Sequence, residues 1–168
     1  QNLCVYADNS AHYLEHIILD LSDLEPMVSL PSDPIRAVPI SQLHEKVRID
    51  KAFIGSCTGG KLEDIKKAAQ ILQGKKVARH VQLVVQAASM HIYEEACRMG
   101  YNTSITNAGG IFLPSACGAC IGQGPGRVEK GETVISSSNR NYRGRMGEGD
   151  AYLANPAVVA ESAIKGNI

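Results

Sequence analysis

Three cysteines are the residues of this chain whose type and spacing could do chemistry. Cys57 lies in the run IGSCTGG (residues 54–60), and Cys117 and Cys120 form a CxxC pair in ACGACIG (residues 116–122). The small neighbouring residues would let the backbone approach a bulky group closely. Three thiolates are one ligand too few to close a four-iron cluster, and a metal site that is one protein ligand short keeps a position open for substrate. These side chains therefore predict a metal centre with one open metal position.

Zinc is the alternative occupant of the same three thiols. A lone CxxC pair also serves zinc sites and redox pairs, but a distant third cysteine in a glycine-rich turn is more specific. Structural zinc takes four protein ligands and catalytic zinc usually adds histidine or carboxylate, yet no histidine lies within ten residues of these three cysteines. The pattern favours iron–sulfur chemistry and leaves a zinc-bound structural module open. We expect Cys97 to be a buried helix residue and Cys4 to lie near a frayed end.

A second group of candidate site residues lies in the arginine-rich run SSSNRNYRGR at residues 136–145. Isolated surface arginines are usually solvated, but guanidinium groups beside a metal site suit bidentate binding of carboxylates. Asn139 could orient a hydroxyl group or a cluster sulfide. Because Gly144 allows the chain to turn back, we expect Arg140 and Arg145 to face one ligand.

From residue 46 onward the chain alternates between strand and helix patterns. The predicted strands are Lys51–Ile54, Val81–Val85 and Thr133–Ser137, and the predicted helices are Lys61–Leu72, Met90–Met99 and Pro156–Ile164. This order predicts an α/β fold, a three-layer domain with a mostly parallel sheet flanked by helices. In such sheets ligand sites lie beyond the carboxyl ends of the strands, which is where Cys57 and Asn139 fall.

Residues 1–45 have a different character. We expect a strand at His16–Leu21, followed by an extended arm in which four prolines occur between residues 26 and 39. This arm is expected to belong to the same domain as residues 46–168. Because Gln1 is not an initiator methionine, we also expect the chain to be a piece of a longer or processed protein.

Composition sets the broad class of the protein. A chain of 168 residues with 44% apolar and 20% charged residues can bury one sizeable core. The 17 basic residues balance the 17 acidic ones, so no overall positive field favours nucleic acid. No apolar run is long enough for a membrane span, and no signal peptide pattern is present. Five cysteines in such a chain predict reduced thiols, in the cytoplasm or an organelle matrix.

Taken together, these motifs resemble the aconitase superfamily of iron–sulfur hydro-lyases. The likeness covers about residues 15–168, and its matching stretches, in the family's order, are IGSCT (54–58), ACGACIGQG (116–124), SNRNYRGRMG (138–147) and LANPAVVA (153–160). The run GRMG and the short ending AIKG are closer to the 3-isopropylmalate dehydratase and homoaconitase branch than to the citrate aconitases. Gly59 departs from the pattern, because many members have asparagine there.

The resemblance implies specific roles for residues of this chain. It implies that a [4Fe-4S] cluster is held by Cys57, Cys117 and Cys120. It also implies that the substrate and cluster are contacted by Asn139, Arg140 and Arg145. The chain would be the third, cluster-ligating domain of a large subunit that isomerises a malate-like hydroxy acid. The implied reaction is the isomerisation of 3-isopropylmalate in leucine biosynthesis, with homoaconitase or aconitase chemistry as the alternatives.

The same resemblance implies that no complete catalytic set lies in this chain. The family's acid–base histidine and its carboxylate partners lie in preceding domains of the large subunit, and its serine base lies in a swivelling domain or small subunit. We therefore expect the chain to be inactive alone and to have those domains, a small subunit and a hydroxy-acid substrate as partners. Cytosolic relatives can bind RNA when the cluster is lost, but the neutral charge and the lack of an aromatic platform argue against it here.

Overall fold

The computed structural model describes residues 4–43 and 45–168, so residues 1–3 and His44 of the N-terminal segment lie outside the described residues. The described chain contains one seven-stranded sheet. Its strands are β1 (Met27–Ser29), β2 (Ala37–Pro39), β3 (Lys51–Gly55), β4 (Gln82–Gln86), β5 (Ile111–Leu113), β6 (Thr133–Ser136) and β7 (Asp150–Ala154). Their order across the sheet is β2-β1-β7-β6-β3-β4-β5.

The sheet is parallel from β7 to β5, and β1 pairs antiparallel with both β2 and β7. The α-helices are α1 (Ser56–Gly59), α2 (Leu62–Leu72), α3 (Met90–Arg98), α4 (Tyr101–Asn107) and α5 (Pro156–Lys165). These elements confirm the predicted α/β fold with a mostly parallel sheet flanked by helices, and the four longer helices all pack on one face of that sheet. Within the described part of the chain, no helix has the length and apolar character needed to cross a membrane.

Side chains of the central strands alternate between two hydrophobic cores. On one face, Ala52 and Ile54 of β3 pack under the four longer helices, together with residues such as Ile65 and Val159. On the other face, Phe53 packs with Cys120 and other residues of the loops. That second face is covered by the irregular segments 114–132 and 137–149 on either side of β6, with a short 3-10 helix at Gly118–Ile121, rather than by α-helices. The cysteine pair therefore belongs to a layer made mostly of loops.

Two helix starts follow directly from the local sequence. The Asn155 side chain accepts a hydrogen bond from the Val158 N–H at 3.0 Å, and Pro156 occupies the first turn of α5. Ser89 caps α3 in the same way, because its hydroxyl accepts from the Ile92 N–H at 3.2 Å. These caps set where α3 and α5 begin, and both helices begin at the residue predicted from the sequence.

The predicted strand at His16–Leu21 is wrong. This segment has no regular secondary structure, and Ile17, Ile18 and Leu19 are each at least 73% exposed. A strand needs a partner edge, and within residues 4–43 and 45–168 no strand pairs with this segment. The proline-rich arm instead folds into the β1–β2 pair, with Pro39 on an edge strand, and β1 joins the main sheet through β7.

An ion pair links the start of β3 to the turn before β6. Lys51 Nζ lies 2.6 Å from Glu132 Oε2, with the side chains 15% and 32% exposed. Lys51 also donates to the Arg127 carbonyl, and Glu132 accepts from the Glu129 N–H at 2.8 Å. The hydrogen bond from Lys51 is the main cause that lowers the pKa of the Glu132 carboxyl.

We expect Glu132→Gln to lower the free energy of unfolding by about 1 kcal/mol at neutral pH. Because the folded-state pKa of Glu132 lies below its unfolded value of about 4.3, the stabilisation is complete above that value and is lost as the pH falls through the folded pKa. Urea unfolding at neutral and acid pH measures this difference. Glu161→Gln, in the more exposed pair with Lys75, is the control; an equal effect of both variants at neutral pH would contradict the prediction.

Candidate metal centre

The Cys57 thiol is presented by a sharp strand-to-helix turn at the carboxyl end of β3. Ser56 adopts the left-handed conformation with φ of 60°, which is uncommon for a residue with a side chain. Its side chain is buried, and the hydroxyl has no hydrogen-bond partner. The next residue, Cys57, is a free and exposed cysteine. The strained turn thus places an exposed thiol at the carboxyl end of β3.

Ser137, which directly follows β6, holds both ends of this turn. Its hydroxyl accepts a hydrogen bond from the Gly55 N–H at 3.1 Å and donates to the Gly59 carbonyl at 3.3 Å. The Ser137 N–H donates to the Phe53 carbonyl at 2.9 Å, which extends the β3–β6 pairing. A Cβ atom at Gly59 would lie only 2.7 Å from the Ser137 Cβ and closer still to its hydroxyl and carbonyl oxygens. The close approach explains why this chain has glycine at position 59.

We expect Ser137→Ala to lower the free energy of unfolding by roughly 1–3 kcal/mol, because the Gly55 N–H would lose its acceptor inside the protein. Chemical denaturation of the two chains measures the loss. The control is Ser41→Ala, which removes an exposed hydroxyl bonded to Glu25 at 2.5 Å. If both substitutions cost the same, Ser137 does not hold the turn.

The CxxC pair lies beyond the carboxyl end of β5. Cys117 is exposed, whereas Cys120 is only 5% exposed and packs against Phe53 and Val84 on the loop-covered face. The Cys120 N–H donates to the Cys117 carbonyl at 3.1 Å, which closes the turn between them. Gly118 has φ of 49°, a conformation that favours glycine at that position. One thiol of the pair therefore faces solvent and the other faces the core.

Arg145 is the arginine that the structure brings to a cysteine. Its Nη2 lies 3.8 Å from the Cys120 sulfur, and its Nη1 lies 3.4 Å from the Tyr142 hydroxyl. The Cys120 sulfur, as hydrogen-bond acceptor, raises the pKa of Arg145 above its ordinary value. The Nε of Arg145 is buried without a hydrogen-bond partner. The guanidinium therefore stays charged beside the thiol and keeps an unused donor.

Asn139 and Arg140 follow β6 and are exposed. Neither side chain makes a hydrogen bond or ion pair with the part of the chain that the structure describes. They follow Ser137, which holds the Cys57 turn, by two and three residues. That Arg140 and Arg145 face one ligand stays a prediction. The two side chains are free to bind a group that comes from outside the chain.

Asn141 is a structural residue that the sequence analysis did not single out. It is 2% exposed, and its Nδ2 donates to the Leu30 carbonyl at 2.7 Å and to the Ala151 carbonyl at 2.8 Å. It thereby ties the arginine-rich loop to the turn after β1 and to β7. Arg143 lines a separate cavity of about 250 Å³ together with Asn141 and Asp150. The loop thus has a buried anchor at Asn141 and an exposed arginine at Arg143.

The two segments that carry the three cysteines leave the sheet at the same end. Gly55, Gln86 and Leu113 are register partners at the carboxyl ends of β3, β4 and β5, so the Cys57 turn and the Cys117 turn leave the sheet at the same level. As they stand, however, no three cysteine, histidine, aspartate or glutamate side chains among the described residues are grouped closely enough to hold a metal ion. The assignment of the three thiols to one cluster stays a prediction.

The chemistry of the donors nevertheless fits an iron–sulfur cluster. The three candidate ligands are free cysteines, and thiolate sulfur is the ligand that such clusters take. Ser56 Oγ and Arg145 Nε, beside two of these ligands, are buried polar atoms without partners. Buried polar atoms are normally satisfied, so the two atoms are consistent with a polar or charged group bound nearby.

Gln86 is a further residue of the site that could not be singled out from the sequence. It ends β4, lies between the two cysteine turns and is 4% exposed. Its Nε2 donates to the Pro114 carbonyl at 3.1 Å, while its Oε1 is buried without a partner. The only signal in the sequence was a polar residue at the end of the β-branched run 81–85.

Known proteins resemble this chain over nearly its whole length. Residues 1–166 match the aconitase family (aconitate hydratase). The chain is 48% identical over 163 residues to the 3-isopropylmalate dehydratase large subunit of Picrophilus torridus, which covers 96% of this chain and 39% of that protein. It is 44% identical over 158 residues to the 3-isopropylmalate dehydratase large subunit 2 of Pyrococcus furiosus, which covers 93% of this chain and 41% of that protein.

A second group of relatives carries a different name. The mitochondrial homoaconitase of Cryptococcus neoformans var. neoformans is 48% identical over 167 residues, which covers 98% of this chain and 23% of that protein. The chain thus spans about two fifths of the length of the dehydratase subunits and about a quarter of the homoaconitase. Since the family match extends over nearly all of the sequence, this chain belongs to the aconitase family.

Proposed function

We propose that this chain is the cluster-ligating domain of a hydro-lyase that isomerises a malate-like hydroxy acid, with 3-isopropylmalate as the substrate. The observation that carries the proposal is the contact between the Arg145 guanidinium and the Cys120 sulfur. The turn that carries Cys120 and the turn that carries Cys57 leave the sheet at the same end. In this proposal Arg145 is a carboxylate-binding group that lies beside Cys120, a ligand of the cluster. The names of the relatives support 3-isopropylmalate, with homocitrate-type substrates as the alternative.

The cluster ligands in this proposal are Cys57, Cys117 and Cys120. When bound, a [4Fe-4S] cluster held by three cysteines supplies a Lewis-acidic iron with one open position for substrate. Cys120 would hold the cluster from the apolar side of the site, because it is buried against the sheet. Cys57 and Cys117 would hold it from the solvent side, because both thiols are exposed.

The polar side chains of the chain bind and orient the substrate. Arg145, and with it Arg140, would bind carboxylate groups through bidentate hydrogen bonds, and Asn139 would hold the hydroxyl group. Holding both ends of a small hydroxy acid in this way orients it for the reaction. The base that removes the proton is assigned to another part of the assembled enzyme.

The partners in this proposal are the preceding domains of the large subunit and a small subunit that carries a swivelling domain. The relatives named as large subunits are longer than this chain, which supports such an assembly. We place the enzyme in the cytoplasm or an organelle matrix, where thiols stay reduced.

The test is the turnover of 3-isopropylmalate by the full-length large subunit assembled with its small subunit. We expect Arg145→Lys to lower kcat/KM by about 100-fold, because lysine cannot bind a carboxylate bidentately. Arg143→Lys is the matched control in the same loop and should leave kcat/KM within about twofold of the parent value. Equal kcat/KM values for the two variants would contradict the role of Arg145.

The need for the preceding domains is tested by leaving them out of the assembly. This chain, mixed with a complete small subunit and supplied with iron and sulfide, should show no turnover, since the acid–base groups would be missing. Substantial dehydratase activity in that mixture would show that the chain carries a complete catalytic set and would defeat this part of the proposal.

A further inference from the structure

We infer that Gln86 is a positioning residue that sets the spacing between the Cys57 turn and the Cys117 turn. The inference rests on the proposed function, in which the two turns hold one cluster. β4 lies between β3 and β5, so its last residue has one cysteine turn on each side. Gln86 is buried at that position, on the loop-covered face of the sheet that Val84 also lines.

The side chain of Gln86 contacts the Cys117 turn on both sides of the cysteine. Its Nε2 donates a hydrogen bond to the carbonyl of Pro114, which precedes Cys117 by three residues, at 3.1 Å. A Cβ atom at Gly118, the residue after Cys117, would lie 3.2 Å from Gln86 Cδ and would collide with its Oε1. The hydrogen bond from the amide therefore holds Pro114 close to β4. The same amide limits how closely Gly118 can approach β4.

The backbone of Gln86 lies close to both ends of the Cys57 turn. Gln86 is the register partner of Gly55, and a Cβ atom at Gly55 would lie 2.7 Å from the Gln86 carbonyl oxygen and 2.9 Å from its Cβ. At the other end of the turn, a Cβ atom at Gly60 would collide with the same carbonyl oxygen. One residue thus abuts both ends of the turn that presents Cys57.

The polar character of Gln86 needs a reason beyond stability. Its neighbours on β4, Leu83, Val84 and Val85, are fully buried and apolar. A buried carbonyl oxygen without a partner costs free energy, as Gln86 Oε1 does here, and an apolar side chain would avoid that cost. What the amide adds is the directional bond to Pro114, which fixes the CxxC loop relative to the neighbouring strands.

The first arm of the test needs no metal. A bifunctional thiol reagent is added to the reduced, metal-free chain, and the rate of cross-linking between Cys57 and Cys117 is measured by peptide mass spectrometry. Gln86→Met keeps the side-chain length and removes the hydrogen bond, so the cross-linking rate should change. Gln82→Met is the matched control, because Gln82 is the exposed glutamine at the other end of β4 and should leave the rate unchanged.

The second arm uses the chain loaded anaerobically with iron and sulfide. Loss of a side chain that orients metal ligands typically costs about 10–100-fold in metal affinity. We therefore expect Gln86→Met to release iron to a chelator at least about tenfold faster than Gln82→Met and to change the electron paramagnetic resonance spectrum of the reduced cluster. Circular dichroism confirms that each variant is folded, and Gln86→Asn, which keeps the amide on a shorter stem, replaces Gln86→Met if that variant does not fold.

The two arms separate the possible failures. If the unaltered chain takes up no iron and sulfide, the proposed function fails, while the cross-linking rates still decide the role of Gln86. If the folded Gln86 variant cross-links and releases iron at the same rates as Gln82→Met, the inference about Gln86 is overturned, and the cluster assignment is unaffected.

Discussion

Replacing Cys57 with serine should remove nearly all of the iron and acid-labile sulfide that the chain binds under anaerobic loading. The hydroxyl of serine is a poor substitute for thiolate as a cluster ligand, and only two protein ligands would remain. The loss of affinity should exceed the roughly 10–100-fold cost of losing a group that only orients a ligand. Cys117→Ser and Cys120→Ser should behave in the same way. Iron, sulfide and the visible absorption of the cluster are the quantities to measure.

The control for these variants is Cys97→Ser. Cys97 is half-buried on α3, and its free thiol lies outside both cysteine turns. Its replacement should leave the iron content unchanged. Because Cys57 is exposed, its replacement should leave the fold intact, so lost iron would report ligation rather than unfolding. Full iron content in Cys57→Ser would contradict the ligand assignment.

Gly59→Ala should lower the free energy of unfolding by about 3 kcal/mol, because the added methyl group would collide with Ser137. The collision involves the Ser137 carbonyl as well as its side chain, and that backbone is held against β3 by the bond from its N–H to Phe53. The neighbour therefore cannot move away without breaking the pairing of β3 with β6. The same variant should also bind less iron, since the displaced turn carries Cys57.

Gly74→Ala is the control for this second large effect. Gly74 has φ of +72° and nothing within 4 Å of its Cβ position, so alanine there adds backbone strain without a collision. The expected cost is about 1 kcal/mol. Urea unfolding of both variants measures the difference. If Gly59→Ala is no less stable than Gly74→Ala, then Ser137 does not confine the Cys57 turn.

The central elements of the fold could be predicted because their patterns are local. β3, β4 and β6 lie within a residue of the predicted strands, and α2, α3 and α5 lie within a residue of the predicted helices. Apolar periodicity and caps such as Asn155 are properties of neighbouring residues, so they are readable without the fold.

The wrongly predicted N-terminal strand shows that a local sequence pattern does not reveal whether a strand has a partner. His16–Leu21 is as apolar as the observed strands, yet the short strands β1 and β2 form the sheet edge instead. Strand formation depends on a partner that lies far along the sequence: β1 pairs with β7, where Val28 faces Ala154. The short α4 and β7 were also not predicted.

Some residues of the candidate site can be recognised in the sequence, and others only in the folded chain. The cysteines, Asn139 and the arginines could be singled out because their side-chain chemistry is visible in the sequence. Ser137, Gln86 and Asn141 could not, because each of them bonds to a partner that lies 28 to 111 residues away along the chain. Serine, glutamine and asparagine are common polar residues, so only the folded positions reveal what they hold.

Anaerobic metal analysis of the chain decides whether the three thiols hold one cluster. After loading with iron and sulfide in the presence of zinc, we expect about four iron and about four sulfide ions per chain, with the Mössbauer signature of a [4Fe-4S] cluster. Binding of about one zinc ion per chain, with no sulfide and no iron, would contradict it.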